Sequence, residues 1–145
     1  MIKVNIDAGE LIPHKPPMQF IEVLTKVSDS GAETTSRIPA DHIMVDHNAV
    51  PIYAAIEFMA QSIAAWSGYH DQQQGLKPGV GFLLGTRKLS FIQSTLPINT
   101  ELVVRVEREL EAENGLSSFN GQLFIDGAEI ASARLNVFKP KNIES

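Results

Sequence analysis

The sequence predicts an α+β fold in which one long, apolar helix is wrapped by an antiparallel sheet. Two observations carry that prediction. Between Pro51 and about Tyr69 the apolar side chains Ile52, Ala55, Ile56, Met59, Ala60, Ile63 and Ala64 recur at helical spacing, with only Glu57, Gln61 and Ser62 interrupting them before Ser67. A helix so apolar on nearly all sides must be enclosed rather than laid on a surface. After it come four stretches of strand character joined by short connections, the pattern of an antiparallel sheet rather than of βαβ units.

The elements follow in order. Residues Phe20–Val27 and Ala32–Ile38 read as strands joined by the turn Ser28-Asp29-Ser30-Gly31. Pro51 suits the first helical position, where its missing N–H costs nothing, and Gly68 is the expected terminator. Gln72-Gln73-Gln74-Gly75 with Pro78-Gly79 reads as a surface loop. Strands are then expected over Val80–Leu89, Glu101–Leu110, Leu116–Ile125 and Glu129–Phe138. Leu102, Val104 and Val106 alternate with Val103, Arg105 and Glu107; Phe119, Gly121, Leu123 and Ile125 form a second inward row, and Ala131, Ala133, Leu135 and Val137 a third. Asp126-Gly127 marks a tight hairpin. The tail after Lys139-Pro140 reads as frayed. No repeat or composition break divides the chain, so residues 1–145 are expected to form one domain.

Composition narrows the function classes. With 43% hydrophobic and 20% charged residues in 145, the chain has globular composition and enough length for one core without staples. Its 12 basic and 17 acidic residues give a net charge of −5, which disfavours broad nucleic-acid binding. Without cysteine there is no disulfide, no thiolate nucleophile and no Cys-ligated zinc. The opening MIKVNIDAGELIPHK has acids by residue 10 and no apolar run of secretory length. No stretch reaches the roughly 18 apolar residues of a membrane span. We expect a cytoplasmic protein with no membrane or nucleic-acid partner.

Histidines and acids remain as candidate chemistry. The densest cluster is Asp41-His42-Ile43-Met44-Val45-Asp46-His47-Asn48, just before the helix. His42 and His47 are general-base candidates, because histidine titrates near physiological pH. Metal ligation by two His and two Asp is the other reading of the cluster, but lone short clusters of this kind are mostly solvated loop, and no metal is expected. Glu57 is read in two ways: as the one solvent-facing residue of its helix, or as a pocket-wall carboxyl whose desolvation favours the proton-donating form. Gln61 lies one turn on, within hydrogen-bonding reach of it. His14, between prolines, and His70, at the helix end near the last carbonyls, read as structural. Gly85-Thr86-Arg87-Lys88 closes an apolar strand and reads either as an exposed polar strand end or as two cations placed at an opening. Gly85 is taken there as a substrate-binding position. No phosphate-binding, dinucleotide or nucleophile-elbow motif is present.

Three segments carry a resemblance: LIPHKPPMQFIEVL from Leu11, PIYAAIEFMAQ from Pro51, and GFLLGTRKLSF from Gly81. In order, and over Leu11 to Phe138, they resemble hot-dog-fold dehydratases acting on 3-hydroxyacyl-acyl-carrier-protein, with the dehydratase-like proteins of aryl polyene clusters as the nearest likeness. The resemblance implies the hot-dog fold, a homodimer or a heterodimer with a hot-dog paralogue, and composite active sites at the interface. It implies that a histidine removes the α-proton, a helix carboxylate protonates the departing hydroxyl, and a backbone N–H at the helix N-terminus polarises the thioester carbonyl. Carried over, the acid is Glu57 and the N–H comes from near Ile52 or Tyr53, which with Gln61 and Gly85 make the substrate-binding set. No cofactor is implied. His14 matches a family histidine that is usually structural. The family's Gly-His-Phe-Pro-Gly is replaced by DHIMVDHNAVPI. His42 lies fifteen residues before Glu57 and His47 ten, on either side of the family spacing, which favours His42 as base and His47 next. Ile52 also stands where the family has glycine. The acyl chain is expected to run past Met59, Phe82 and Leu84, with Arg87, Lys88 and Lys139 facing an acidic carrier protein. A thioesterase and a non-catalytic hot-dog subunit are the alternative functions.

Overall fold

A computed structural model describes residues 1–140; the tail beyond Pro140 lies outside the described residues. Strand β1 (Ile2–Asp7) and a short helical turn at Ala8–Glu10 lead into β2 (Val23–Val27) and β3 (Gly31–Arg37). A short β4 (Ala49–Pro51) precedes the helix α1 (Ala54–Gln73). Strands β5 (Phe82–Phe91), β6 (Thr95–Pro97), β7 (Glu101–Glu111), β8 (Leu116–Ile125) and β9 (Ala128–Phe138) complete the chain. Seven strands form one antiparallel sheet in the order β1-β2-β3-β7-β8-β9-β5, and β4 pairs with β6 beside the start of α1. α1 lies chiefly over β3, β7 and β8, and its contacts thin out towards β9 and β5. No helix among the described residues is long and apolar enough to cross a membrane.

The alternating rows read from the sequence are the inner face of the sheet. Leu102, Val104 and Val106 of β7, Phe119 and Leu123 of β8, and Ala131, Ala133 and Leu135 of β9 are buried against the helix. Gly121 belongs to that row because α1 comes too close for a side chain. A Cβ there would stand 2.7 Å from Met59 Sδ. Burying an inward leucine stabilises by roughly 1.5–3 kcal/mol, so these rows fix the register that the pleat demands.

Three local expectations change. Pro51 is not the first helical residue: it pairs with Thr95 in β4, and the Ile52 N–H donates to the Ser94 carbonyl, holding the chain out of the helix until Ala54. Gly68 is not the terminator but a buried mid-helix residue, where a Cβ would lie 2.0 Å from the Leu11 carbonyl oxygen. The helix therefore runs on to Gln73 because glycine serves close approach rather than termination. The buried face also differs, centring on Ala55, Phe58, Met59, Ser62 and Ala65, while Ile56, Ala60 and Ala64 are only half-buried. Ser62 tolerates the core because its hydroxyl meets Thr34 Oγ1 at 2.8 Å and the Phe58 carbonyl at 2.8 Å.

β5 forms one edge of the sheet. All of its residues except Gly85 and Thr86 are exposed, including Phe82, Leu83, Leu84, Leu89 and Phe91, and Ile92 beyond it. Its pairing with β9 shifts between Arg87 and Ser90, where Lys88 takes a left-handed φ of 55°. An apolar, unpaired edge of this kind is a surface suited to association.

Candidate active site

Glu57 sits in the first turn of α1 with its side chain 39% exposed, at one end of a cavity of about 1050 Å³. The cavity runs along α1 past Ala60, Ala64 and Ser67 to Gln74, with Phe119, Val137 and Phe138 opposite. Ala60 and Ala64 keep that wall of the helix narrow, which is what gives the cavity its width.

One fully buried side chain positions Glu57. The Gln61 amide nitrogen donates to Glu57 Oε1 at 2.9 Å and to the Met18 carbonyl at 2.8 Å. Its oxygen accepts from the Phe20 N–H at 2.8 Å and the Ile21 N–H at 3.4 Å. Gln61 thus ties the helix to the proline-rich segment before β2, and it leaves Glu57 Oε2 as the oxygen able to carry a proton. That segment brings His14 to the cavity: its Nε2 lies 3.7 Å from Glu57 Oε1, too long for a hydrogen bond, and its side chain is 31% exposed. His14 Nδ1 is buried with no protein partner.

The other histidines lie elsewhere. His42 packs edge-on against Phe20 at 4.5 Å between ring centres, and its Nδ1 accepts the Met44 N–H at 3.0 Å. The neutral ring therefore carries its proton on Nε2, which is buried without a partner. Burial lowers the pKa of His42 below its ordinary 6.5, with Asp41 acting in the opposite sense. His47 is 94% exposed on a left-handed turn, with Nδ1 2.7 Å from Asp46 Oδ1. Neither His42 nor His47 lines the cavity that Glu57 lines. His70 donates from Nε2 to the Ser28 carbonyl at 2.8 Å, beside the Trp66 indole N–H that donates to the same oxygen. It thus clamps the β2–β3 turn rather than facing the last carbonyls of its own helix. Among the described residues no three His, Asp or Glu side chains converge in a metal-binding group.

The remaining expected positions divide. Of the two expected backbone donors before α1, the Ile52 N–H is already given to the Ser94 carbonyl, which leaves that of Tyr53. Gly85 lies on β5 opposite Asn136, in a second depression with Leu84 and Leu110 and away from Glu57. Of the residues expected beside the acyl chain, Phe82 lines the cavity, Leu84 lines the second depression, and Met59 is buried in the core. Lys139 is not a free surface cation. Its Nζ lies 2.5 Å from Asp71 Oδ2 and 2.7 Å from Ser67 Oγ at the far end of the cavity. Sequence reasoning missed His14 as a cavity residue, and no spacing signal links it to a carboxylate 43 residues away.

Known proteins agree with this architecture. A chain of the dehydratase heterocomplex ApeI:P from Xenorhabdus doucetiae superposes with a TM-score of 0.87 at 26% identity, covering 94% of this chain and 93% of that one. Smu.793 from Streptococcus mutans UA159, solved with acetyl CoA, shares the fold at a TM-score of 0.64 and 9% identity, covering 87% and 92%. A hypothetical thioesterase from Streptococcus pneumoniae TIGR4, solved with coenzyme A, does so at 0.62 and 10%, covering 82% and 85%. None of the curated proteins matches the chain. The model of the family described as ApeP-like, ApeP dehydratase, matches residues 6–145. The hot-dog fold, the dehydratase activity and the link to aryl polyene biosynthesis that the motifs implied are therefore those of its family, and the chain belongs to the ApeP-like dehydratases.

Proposed function

We propose that the chain removes water from a 3-hydroxyacyl thioester delivered by an acyl carrier protein, with Glu57 protonating the departing hydroxyl to leave the trans-2-enoyl thioester. The observation that supports it is Glu57 itself, a half-exposed carboxyl held by a fully buried amide at the mouth of a long cavity. The Tyr53 N–H, at the positive end of the helix dipole, polarises the thioester carbonyl and stabilises the enolate that develops at the α-carbon. A histidine takes the α-proton. The acyl chain lies along Ala60, Ala64 and Phe82.

Two partners follow in this reading. A second hot-dog subunit covers the exposed β5 edge, as befits a family in which the similar solved chain stands in a heterocomplex. The acidic carrier protein delivers the substrate; Arg87 and Lys88 lie on the β5 edge that the second subunit covers and Lys139 is held by Asp71, so none of the three is assigned to its contact.

The test is to incubate the purified protein, in the assembly in which it is isolated, with 3-hydroxyacyl carrier protein and follow loss of one water by mass. Glu57→Gln should lower the rate at least about 100-fold, the usual worth of a general acid. Release of free acid and thiol instead would assign thioester hydrolysis. Equal water loss from wild type and variant would remove Glu57 from the mechanism.

A further inference from the structure

We propose that the subunit covering β5 is a different chain from this one, with a carboxylate on its edge strand opposite Arg87. The inference rests on the reading above that a second hot-dog subunit joins that edge, and it names what the edge selects. A row of polar side chains crosses the outer face of the sheet and ends there. On β7 the Glu109 carboxylate accepts from the Asn120 amide of β8 and from the Arg134 guanidinium of β9. Arg134 stands between the buried Ala133 and Leu135, so its side chain leaves the sheet on the side away from α1. Arg87 is its register partner on β5 and shares that face. The row therefore runs acid, amide, cation, cation across neighbouring strands. Glu109 balances Arg134. Among the described residues no carboxylate pairs with Arg87, or with the exposed Lys88 beside it. The next strand of the sheet is the partner's, and an acid there completes the row.

A second copy of this chain does not supply that acid. When an edge strand pairs with itself about a two-fold axis, the residue opposite Arg87 comes from the same stretch of sequence. From Gln72 to Thr100 there is no Asp or Glu, although Lys77, Arg87 and Lys88 lie there and the whole chain carries 17 acidic against 12 basic residues. No register of β5 against itself therefore sets a carboxylate opposite Arg87. Registers centred on Arg87 and Lys88 set the cations of one copy directly against those of the other, where like charges destabilise the pairing. The exposed Phe82, Leu83, Leu84, Leu89 and Phe91 on either side favour association with any apolar edge. The two cations in their midst decide which edge is accepted. They repel an identical strand and attract one that bears Asp or Glu, and discrimination of this kind uses both effects.

The experiment supplies the missing acid from a charge-reversed copy. Sedimentation velocity measures the self-association of the wild type, of Arg87→Glu/Lys88→Glu and of Arg87→Ser/Lys88→Ser, and the association of the wild type with the charge-reversed chain. Unfolding midpoints are measured for all three. At low salt the mixed pair should associate at least about tenfold more tightly than the wild type with itself, and that advantage should shrink as salt is raised. The neutralised chain should also pair with itself more tightly than the wild type does. Should the charge-reversed chain not fold, the neutralised one decides alone. A wild type that pairs with itself as tightly as the mixed and neutralised pairs, or no association in any pairing up to about 100 μM, would overturn the inference. Hydrogen exchange over residues 82–91 keeps the reading beneath it distinct. Slow exchange there in a wild-type self-pair, insensitive to the substitutions, sinks the charge selection and leaves β5 as the covered edge. Exchange as fast in the assembly as in the free chain sinks the covered edge as well.

Discussion

Gln61→Leu separates the clamp from the chemistry. Leucine fills about the same volume in the buried site but makes none of the four hydrogen bonds. The Phe20 N–H loses its 2.8 Å partner in a buried position, and the Met18 carbonyl loses another. An orphaned buried group costs about 1–3 kcal/mol, and Met18, lying towards the surface, falls at the low end because water can reach it. We expect about 2–4 kcal/mol of destabilisation, a large part of the roughly 5–15 kcal/mol typical of a domain. At this chain length each kcal/mol lowers Tm by about 2–4 °C, so thermal unfolding followed by circular dichroism should show a fall of about 5–15 °C. Glu57→Gln is the control. It keeps the Gln61 contact through the amide oxygen and alters only a half-exposed group, so its Tm should stay near wild type. If Gln61→Leu unfolds within about 1 kcal/mol of wild type while Glu57→Gln falls further, the amide does not hold the loop and the argument fails.

Two further outcomes test other parts of the structure. Gly68→Ala should lower stability by about 3 kcal/mol, the upper range of overpacking, because the new methyl meets the Leu11 backbone oxygen rather than a side chain that can swing aside; denaturant titration measures it, and a change under 1 kcal/mol would mean that helix and segment separate easily. Since burial depresses the folded-state pKa of His42 below 6.5, the unfolded chain binds a proton there that the folded chain refuses. Stability should therefore decline as pH falls below about 6.5, by at most about 1.4 kcal/mol per pH unit from this group, and level off below the folded pKa. His42→Asn should flatten that decline in unfolding titrations between pH 5 and 7.5, and parallel curves would refute the buried-neutral assignment.

Much of the fold was legible because periodicity reports burial directly. The rows of β7, β8 and β9 were read correctly, down to both limits of Leu116–Ile125. Strand β1 was not read at all, although Ile2, Val4 and Ile6 alternate there, since the sequence signal of six residues at an edge is slight. The three-residue strands β4 and β6 have no period to detect. Gln61 and Ser62 looked like a polar sector but are buried, because side-chain partners supplied by distant segments satisfy them. The same reason explains the site. Glu57 stands out as a lone acid in an apolar helix, whereas the nearness of His14 is a tertiary fact that no local spacing encodes.

The order of the sheet also sets a timetable for synthesis. β3 has its inner neighbour in β7, and Arg37 pairs with Glu101, so 64 residues must leave the ribosome before that edge is closed. At roughly 5–20 residues per second this leaves the first three strands and the apolar helix without their central partner for about 3 to 13 s. During that interval β3, buried along most of its length in the finished protein, is an open ladder beside an uncovered hydrophobic helix. The nascent chain is then most exposed to mispairing, and slowing translation between β3 and β7 should lower the yield of folded protein more than slowing it after β9.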